Sequence, residues 1–463
     1  MPVYRRFDKN TMAQMNRKTV IDILRMCAPI NKAEIARRAG LSVPTVMKIV
    51  DEFDQNDLIR KVGKGESSAG KKPELLELVA DAYYIVGVDM GRSHIKVIVM
   101  DMAGRIVTSQ SMQTGDTNPA EQLIERLLDL IQSTIQKSGV PMERLLGLGI
   151  GMPGLLDRQN GVVIFSPDFA WENVQLIQPI QQRFPLEIEF ENANRALGMG
   201  ERWFGAGQYS DYFICVNLGH GIGSAIVEHG KFYRGTSGSS GEIGHMTLEP
   251  DGPLCTCGNH GCLEALASGN AIARQARDLI RHGEGAAILA QAGGDPNAVE
   301  AKEVFCAARL GDAQAQQIVQ RASEYIGIAL ASYINLLDPD LLILSGGMTN
   351  AGEILLEPLE RVVSARRFHA AGQKFRMTVS KLGRDGAAIG AASLILKKFI
   401  ERGATRKIIT KTEGAILAAS TYWKRWILPS CSPAQERWIM CNCGSSVEKY
   451  MPCAVKMVRV NLP

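Results

Sequence analysis

The sequence predicts an α/β body, built from a duplicated strand–turn–strand unit, that follows a small helical domain ending in a β-hairpin. Two helix-capping signals stand close together near the N-terminus, and a basic loop between two strand-like segments comes after them. Further on, the layout of VDMG at residues 88–91 recurs 128 residues later as VNLG at residues 216–219. A repeated unit at this separation indicates a duplicated fold with a cleft between its halves.

Length and composition place the chain among soluble globular proteins. It has 463 residues, of which 46% are apolar and 22% are charged, as in ordinary folded domains. No apolar run reaches the roughly 18 residues of a membrane span, and the charged N-terminus lacks the apolar core of a signal peptide. We therefore expect a cytoplasmic protein without membrane insertion, with domains over residues 1–80 and 81–399 and a tail over residues 400–463.

Charge is distributed unevenly along the chain. Residues 1–80 carry a net charge of +5 and residues 81–399 carry −7, within a total of +4. A basic front on an acidic body indicates a module that binds polyanions, joined to a domain with another role. The tail carries +6. Its Cys441, Cys443 and Cys453 could bind a metal, but no histidine accompanies them, and we assign the tail no function.

The N-terminal domain has the pattern of a helix-turn-helix. After a helical segment over residues 17–26, Asn31 can cap a short helix that Gly40 ends. Ser42 can cap a second helix through its hydroxyl group. Pro44 would then lie in the first turn of this helix, where proline is tolerated. Two helices joined by a short turn that contains glycine form this motif.

The second helix and the hairpin after it offer a surface for DNA. Apolar residues would pack this helix onto the core: Val46, Ile49, Val50 and Phe53. Side chains that point outward near the start of the helix lie where base and phosphate contacts are made. The candidate DNA contacts, which include a basic wing between two strands, are Ser42, Thr45, Lys48, Lys64, Lys71 and Lys72. We favour operator DNA as the partner over the alternative, a three-helix domain that binds protein.

Glycine-containing turns follow several buried strands of the body. The turn at Gly91, with the hydroxyl group of Ser93, can hold phosphate through its backbone N–H groups, although an ordinary hairpin turn has the same pattern. GLGIGMPG over residues 147–154 and LLILSGGM over residues 341–348 also pair a strand with a glycine turn. The second of these turns could cover a nucleotide or close the cleft.

The segment FENANR, residues 190–195, marks a junction between a strand and a helix, where α/β proteins hold ligands. Asn192 and Asn194 can hold a hydroxylated ligand, but an amide cannot take a proton from it. Ala193 between them offers no lone pair, and Glu191 would point to the opposite face of the strand from Asn192. The junction therefore predicts binding without proton transfer.

Three cysteines and a histidine form the most specific pattern in the chain. Cys255, Cys257 and Cys262 lie within eight residues, and His245 precedes them by ten. Three thiolates and one imidazole satisfy tetrahedral Zn²⁺, and a closed set of four protein ligands is structural rather than catalytic. His260 is a rival for the fourth position because it lies between the cysteines.

Two glutamates flank this cluster, at positions 242 and 264. A loop held by zinc could present Glu242 and Glu264 as acceptors for the hydroxyl groups of a ligand. Each of them, considered alone, also has the pattern of an ordinary surface carboxylate.

From about residue 17 to residue 397 the chain resembles the ROK proteins, which are the repressors and sugar kinases of the actin-like ATPase superfamily. The resemblance is carried by GEIGH and CTCGNHGCLE, and by DMGRS, GMPG, ENAN, LGHGIG, SGG and GAAIGAA in the family's order. It implies an actin-like, ATPase-type α/β body, a duplicated ribonuclease H-like fold of two lobes, behind a winged helix-turn-helix of the repressor branch. It also implies structural Zn²⁺ at His245, Cys255, Cys257 and Cys262, and a sugar held by Asn192, Glu242, His245 and Glu264.

The sequence departs from the kinases of this family at three positions. They carry a catalytic aspartate directly after the asparagine of the E-N-D-A-N motif, where this chain has Ala193. Arg92 stands in the first phosphate turn where those kinases usually have glycine, and His220 stands in the second where they usually have threonine. All three departures fall on the nucleotide and proton-transfer side, whereas the sugar and zinc positions are kept.

These patterns lead us to expect a sugar-responsive transcriptional repressor that binds operator DNA and is inactive as a kinase. Its partners would be the operator, a small sugar effector and a second copy of the chain, in a homodimer or homotetramer. The first alternative is an ATP-dependent sugar kinase with an appended regulatory domain, and the second is a zinc-stapled scaffold that binds another protein.

Overall fold

A computed structural model describes residues 8–65, 72–368 and 375–405, which all belong to one compact unit. The candidate wing residue Lys71 and the cysteines of the tail lie outside these residues. Among the described helices, none is both long enough and apolar enough to cross a membrane.

The N-terminal domain is the predicted winged helix-turn-helix. Three helices precede a two-stranded antiparallel hairpin: α1 (Lys9–Cys27), α2 (Lys32–Ala39), α3 (Val43–Gln55), β1 (Ile59–Lys64) and β2 (Glu74–Leu78). Asn31 accepts a hydrogen bond from the backbone N–H of Glu34 at 2.9 Å, and Gly40 ends α2 in the left-handed region with φ of 63°. Ser42 caps α3 as predicted, by accepting the N–H of Thr45 at 3.3 Å.

Helix α1 begins earlier than the apolar stripe predicted. Asp8 caps it, nine residues before the expected region of Arg17, and accepts the N–H of Thr11 at 2.7 Å. The added turns expose Met12 and Met15 to solvent. A helix end without a buried face gives no periodic apolar signal in the sequence, so pattern alone missed it.

The first lobe of the body follows. Its elements are β3 (Tyr84–Met90), β4 (His94–Asp101), β5 (Ile106–Gln113), α4 (Ala120–Ser138), β6 (Leu145–Met152), β7 (Leu155–Asp157), β8 (Val162–Ser166), β9 (Trp171–Gln175), α5 (Ile177–Arg183) and β10 (Glu187–Asn192). A five-stranded sheet has the order β10-β6-β3-β4-β5, and β7, β8 and β9 form a small antiparallel sheet. Strand β6 runs parallel to both β3 and β10.

The second lobe repeats this arrangement. Its elements are α6 (Ala193–Phe204), β11 (Tyr212–Leu218), β12 (Ile222–Glu228), β13 (Lys231–Phe232), α7 (Leu263–Ala267), α8 (Gly269–Arg281), α9 (Ala286–Gln291), α10 (Ala301–Arg309), α11 (Ala313–Leu337), β14 (Leu341–Ser345), α12 (Glu353–Arg366), β15 (Arg376–Val379) and α13 (Gly386–Glu401). The sheet order is β13-β12-β11-β14-β15, so in both sheets the chain visits the strands in the same spatial sequence. The predicted duplication is therefore confirmed.

Helices α6 and α13 pack against each other between the two sheets. Helix α13 covers β3 and β6 of the first lobe, and α6 covers β11 and β12 of the second. Their backbones approach closely at Gly390, where a Cβ atom would overlap the carbonyl oxygen of Ala196. Gly200 faces the carbonyl oxygen of Gly386 in the same way, at 2.9 Å from the position of a Cβ. This paired helix layer therefore connects the lobes.

Candidate functional site

The junction predicted at FENANR is the end of β10 and the start of α6. Asn192 caps the helix, because its side-chain oxygen accepts the N–H of Asn194 at 3.0 Å. Its side-chain nitrogen donates to the carbonyl oxygen of Gly154 at 3.3 Å, and only 6% of the residue is exposed. Ala193, the next residue, is only partly buried and brings a methyl group to the junction.

Glu191 lies fully buried behind this junction, in an ionic cluster whose outer arginines are partly exposed. Arg195 approaches its carboxylate to 2.9 Å, Arg158 to 3.4 Å, and Arg234 also pairs with it. Burial raises the pKa of Glu191, but the three guanidinium groups more than offset this effect and lower the pKa overall. The carboxylate is therefore held ionised and occupied by cations, which makes it unsuitable as a proton acceptor for a ligand. The sequence pattern gave no indication of this arginine cluster.

A pair of amides connects the first turn of α6 to the second lobe. The side-chain nitrogen of Asn217, at the end of β11, donates to the side-chain oxygen of Asn194 at 3.1 Å. Gly223 leaves room for the Asn194 amide, since a Cβ there would overlap it. In the duplicated fold, the position matching Asn217 is Asp89, and burial raises the pKa of Asp89 to about 6, opposed by Lys96.

Glu242, His245 and Glu264 lie close together beside the turn between β11 and β12. Glu264 accepts the backbone N–H of Ile222 at 2.8 Å and so holds the turn between β11 and β12. Glu242 begins a short 3-10 turn over Ile243–His245. Desolvation in the cleft and the neighbouring Glu264 raise the pKa of Glu242, while His245 and Arg195 oppose the rise. These electrostatic interactions link Glu242 to both other predicted ligands of this group and to Arg195 of the α6 junction.

The thiol-rich loop gathers the four predicted metal ligands. One donor atom from each of His245, Cys255, Cys257 and Cys262 lies within 4.8 Å of all the others. His245 Nδ1 is 3.7 Å from the sulfur of Cys255, and the sulfurs of Cys257 and Cys262 are also 3.7 Å apart. The rival ligand His260 instead lies with its Nδ1 3.0 Å from the carbonyl oxygen of Gly252.

The donor set of this loop fits a cation. Burial and the two neighbouring sulfurs raise the pKa of Cys262 to about 12. A cation between the sulfurs would reverse this effect, because a coordinating thiol is deprotonated by its metal. Gly261 has φ of 64° and packs where a Cβ would overlap the carbonyl oxygen of Glu249, so the tight loop requires glycine at this point.

The two candidate phosphate turns meet across the cleft. Ser93 Oγ, in the turn between β3 and β4, lies 3.2 Å from His220 Nε2, in the turn between β11 and β12. Arg92 pairs with Asp168 at 3.4 Å. Ser93 and His220 therefore bridge the space between the turns, and two of the three residues that depart from the kinase pattern, Arg92 and His220, take part in these contacts.

The outer face of α3 presents the candidate DNA contacts. Lys48 is exposed, as are Lys64 at the end of β1 and Lys72 before β2. Thr45 is partly buried, and its hydroxyl group is 2.8 Å from that of Ser42. Two apolar residues on this face were not identified from the sequence. They are four positions apart, so they lie on one side of the helix, opposite its buried residues, and this spacing could have identified them. They are Val43, which is 45% exposed, and Met47, which is 46% exposed.

Known proteins match this chain either over the two-lobed body alone or over the body together with the N-terminal domain. A duplicated actin-like fold with this cleft and a histidine–cysteine loop is the architecture of a class of sugar kinases and regulators. Residues 85–398 match the profile described as "ROK family", and the chain belongs to the ROK family. The expectation from the motifs is thereby confirmed.

Similar proteins of known name fall into two groups. A xylose repressor of Caldicellulosiruptor bescii is 29% identical over 84% of this chain and 97% of its own length. The structure of a ROK family transcriptional regulator, a homolog of the E. coli MLC protein, matches with a TM-score of 0.72 at 26% identity, over 85% of this chain and 98% of that one. A glucokinase of Thermotoga maritima is 36% identical, over 68% of this chain and 98% of its own length.

The difference in coverage between these groups concerns the N-terminal domain. The xylose repressor matches over 392 residues and the glucokinase over 315. The ROK family glucokinase of Streptomyces griseus, solved with glucose and AMPPNP, likewise covers 67% of this chain, with a TM-score of 0.60 and 31% identity. The additional residues matched by the regulators are about as many as the winged helix-turn-helix contains.

Proposed function

We propose that this protein is a sugar-responsive transcriptional repressor, which binds operator DNA with its N-terminal domain and a small sugar in the cleft between its lobes. One observation carries the proposal: a winged helix-turn-helix is joined to a cleft whose ligand-holding residues are kept while Ala193 replaces the base. The names of the relatives that share both parts, a xylose repressor and an N-acetylglucosamine repressor, support it.

DNA would be contacted by α3 and the wing. Lys48 on α3, with Lys64 and Lys72 on the wing, would supply positive charge for phosphates, and the sequence adds Lys71 as a further candidate. The hydroxyl groups of Ser42 and Thr45 lie at the start of the helix. Val43 and Met47 offer apolar contacts for thymine methyl groups. Two of the three acidic residues of α3 would oppose DNA less than their charge suggests, because Asp51 pairs with Lys32 and Glu52 pairs with Arg17.

A sugar would be held by Asn192 on one wall and by Glu242, His245 and Glu264 on the other. The carboxylates accept hydroxyl protons, and the amide both donates and accepts. His245 can serve the sugar with Nε2, since its Nδ1 faces the sulfur of Cys255. The same histidine would thus belong to the sugar wall and to the metal loop.

Zn²⁺ is the metal that suits this loop best. Three thiolates and one imidazole make a closed tetrahedral set, which contributes folding energy and leaves no position for a reacting water. His245, Cys255, Cys257 and Cys262 would hold the ion. The loop would thereby keep the short turn of Glu242 next to Glu264 at the start of α7.

Catalytic inactivity is part of the proposal. Phosphorylating a hydroxyl group requires a positioned base, and neither Ala193 nor the Asn194 amide can act as one. The carboxylate of Glu191 is ionised but is paired with three arginines, so it is not available to accept a proton from a ligand. The bridge from Ser93 to His220 also occupies the region between the two hairpin turns.

The proposed protein has two domains, forms a symmetric oligomer and acts in the cytoplasm. The DNA-binding domain and linker span residues 1–80, the two-lobed domain spans residues 81–399, and a tail follows. A repressor of this kind reads a two-fold symmetric site most simply as a homodimer or homotetramer. We propose that it acts in the cytoplasm, where its operator and a reducing environment for the free thiols are found.

The test measures two activities of the full chain. Binding to DNA fragments from its own genomic neighbourhood should change when a monosaccharide that raises the melting temperature is added. ADP release with the same sugars, ATP and Mg²⁺ should stay at background. DNA binding that no stabilising sugar affects, together with sugar-dependent ADP release, would replace this proposal with a sugar kinase carrying a regulatory domain.

A further inference from the structure

Helix α6 runs from Asn192, the proposed sugar contact on one side of the cleft, to the DNA-binding domain. Its N-cap is Asn192, and twelve residues later it ends at Phe204. Trp203, in the last turn, lies beneath Arg25 of α1, whose guanidinium carbon is 4.4 Å from the centre of the ring. One helix of about 18 Å thus has a proposed ligand contact at its start and a residue of the winged domain at its end.

The Arg25 side chain is committed to this contact. Burial lowers the pKa of Arg25, attraction to Asp22 opposes this, and Arg202 on α6 adds to the lowering. Its Nε atom is buried and has no hydrogen-bond partner among the described residues. No carboxylate of the described residues binds this buried nitrogen, so the ring of Trp203 is the main contact that positions the Arg25 side chain. A cation–π interaction of this kind is stronger when the cation is desolvated.

The surroundings make this contact stiff. Val20 and Leu24 of α1 belong to the same buried cluster as Leu197 and Met199 of α6, so the core is continuous across the two domains. Helix α13, which packs closely on α6 through its glycines, reaches α1 at its other end. There the Gln14 side chain donates to the carbonyl oxygen of Glu401 at 3.0 Å.

We propose that α6 carries sugar-dependent movement to the DNA-binding domain, and that Arg25 and Trp203 are the positioning residues at the point of transfer. This inference rests on the proposed function. A sugar that draws Asn192 toward the wall of Glu242 and Glu264 must move the start of α6. Because close-packed interiors shift as units rather than compress, the Trp203 end moves too, and α1 follows its contact.

The test compares variants that alter this contact with one that does not. Arg25→Gln removes the stacked cation, Arg25→Lys keeps a cation over the ring, and Trp203→Leu removes the ring but keeps apolar volume. Lys9→Gln is the matched control, since it removes a charge from the exposed first residue of α1. For each protein, sugar affinity and operator affinity with and without sugar are measured.

In Arg25→Gln and Trp203→Leu, we expect the sugar-dependent change in operator affinity to fall below about twofold, from a native value in the typical range of about 5- to 150-fold. Sugar affinity should stay within about threefold, because the site itself is untouched, and Arg25→Lys should retain part of the response. A full response in Arg25→Gln would overturn the inference. A native protein that binds sugar and operator without coupling them would refute the proposed function instead.

A measurement without ligand tests the contact itself. Amide hydrogen exchange in α1 should be faster in Arg25→Gln than in the native protein, and exchange in α11, far from this contact, should be unchanged. Exchange in α1 that is the same in both proteins would overturn the inference whatever the sugar response, because the contact would then not hold α1 to the body.

Discussion

Ala193 is the residue on which the distinction between binding and catalysis depends. It stands between two asparagines at the start of α6, and Glu191, two positions before it, is buried and paired with arginines. A positioned base is worth roughly 10²–10⁴ in rate. We therefore predict no sugar-dependent ADP release with hexoses or pentoses, ATP and Mg²⁺, measured in a coupled assay.

The control for this prediction is Asn192→Ala, which removes the ligand contact but no candidate base. If the native protein released ADP in a sugar-dependent manner and Asn192→Ala did not, the site would be catalytic with an unusual base. The repressor-only interpretation would then be wrong.

We predict that Asp89 makes the stability of the fold depend on pH. Burial raises its pKa to about 6, from 3.8 in the unfolded chain. The folded state therefore binds the proton more tightly, and stability falls as the pH rises through this interval. Asp89→Asn should be more stable than the native protein by up to about 3 kcal/mol at pH 8, and by roughly half of that at pH 5.

Urea unfolding at both pH values, without nucleotide or Mg²⁺, measures this difference. Asp81→Asn, at an exposed carboxylate before β3, is the control and should change little at either pH. A gap between Asp89→Asn and the native protein that is equal at pH 5 and pH 8 would contradict the assignment.

At the scale of the element, we propose that the thiol-rich loop both binds a metal and supports the sugar contacts. We predict that Cys257→Ser loses the bound zinc, because one of four ligands is removed. The sugar response should then fail while sugar-free operator binding persists, since Glu242 and His245 depend on the loop. Metal analysis and operator binding check the two parts.

His260→Gln is the matched control for the loop. It changes a histidine of the same segment that faces the carbonyl oxygen of Gly252 rather than the sulfurs. It should keep both zinc and sugar response. Native protein purified without chelators but free of zinc would sink the prediction.

The wing is the second element with a measurable role. Lys64 and Lys72 are exposed at the two ends of the hairpin loop. If each contacts a phosphate, the double variant Lys64→Ala/Lys72→Ala should bind weakly to all sequences. Its slope of log affinity against log salt should be shallower by about two, since each neutralised phosphate contributes roughly 0.9.

Lys137→Ala, on α4 of the body, is the control for the wing and should leave the salt slope unchanged. Lys137 contacts the Gln110 side chain at 3.1 Å and lies outside the N-terminal domain. An unaltered slope in the double variant would mean that the wing lies off the DNA.

At the scale of the whole molecule, the sugar must bind one arrangement of the lobes better than another, because a ligand shifts an equilibrium only by its differential affinity. Glu264 is suited to this role, since its Oε2 also holds the turn that carries His220. Glu264→Gln keeps an acceptor for the Ile222 N–H but loses the charge. We predict about tenfold weaker sugar binding, as charge-assisted hydrogen bonds are lost.

Sugar-free operator binding by Glu264→Gln should remain native, and titration calorimetry with a stabilising sugar measures the affinity. Glu360→Gln, at an exposed position of α12, controls for the charge change. Native sugar affinity in Glu264→Gln would remove Glu264 from the site.

Local chemistry in the sequence determined much of this protein. The caps at Asn31 and Ser42 and the helix end at Gly40 were predictable, because each depends on neighbours within three or four positions. The spacing of Cys255, Cys257 and Cys262 predicted the thiol-rich loop for the same reason. The repeated turns predicted the duplication, since both halves carry the same pattern of strand and glycine.

Only the tertiary structure decided which distant residues meet. The Ser93–His220 contact joins positions 127 residues apart, and Arg25 of the first helix lies on Trp203 of the body. Strand alternation predicted that Glu191 faces away from Asn192, but it could not predict what Glu191 faces instead. Its arginine partners come from three separate segments of the chain. Periodicity indicates which side chains are buried, and capping residues indicate where helices begin and end. The partner of a buried side chain is instead set by how whole elements pack.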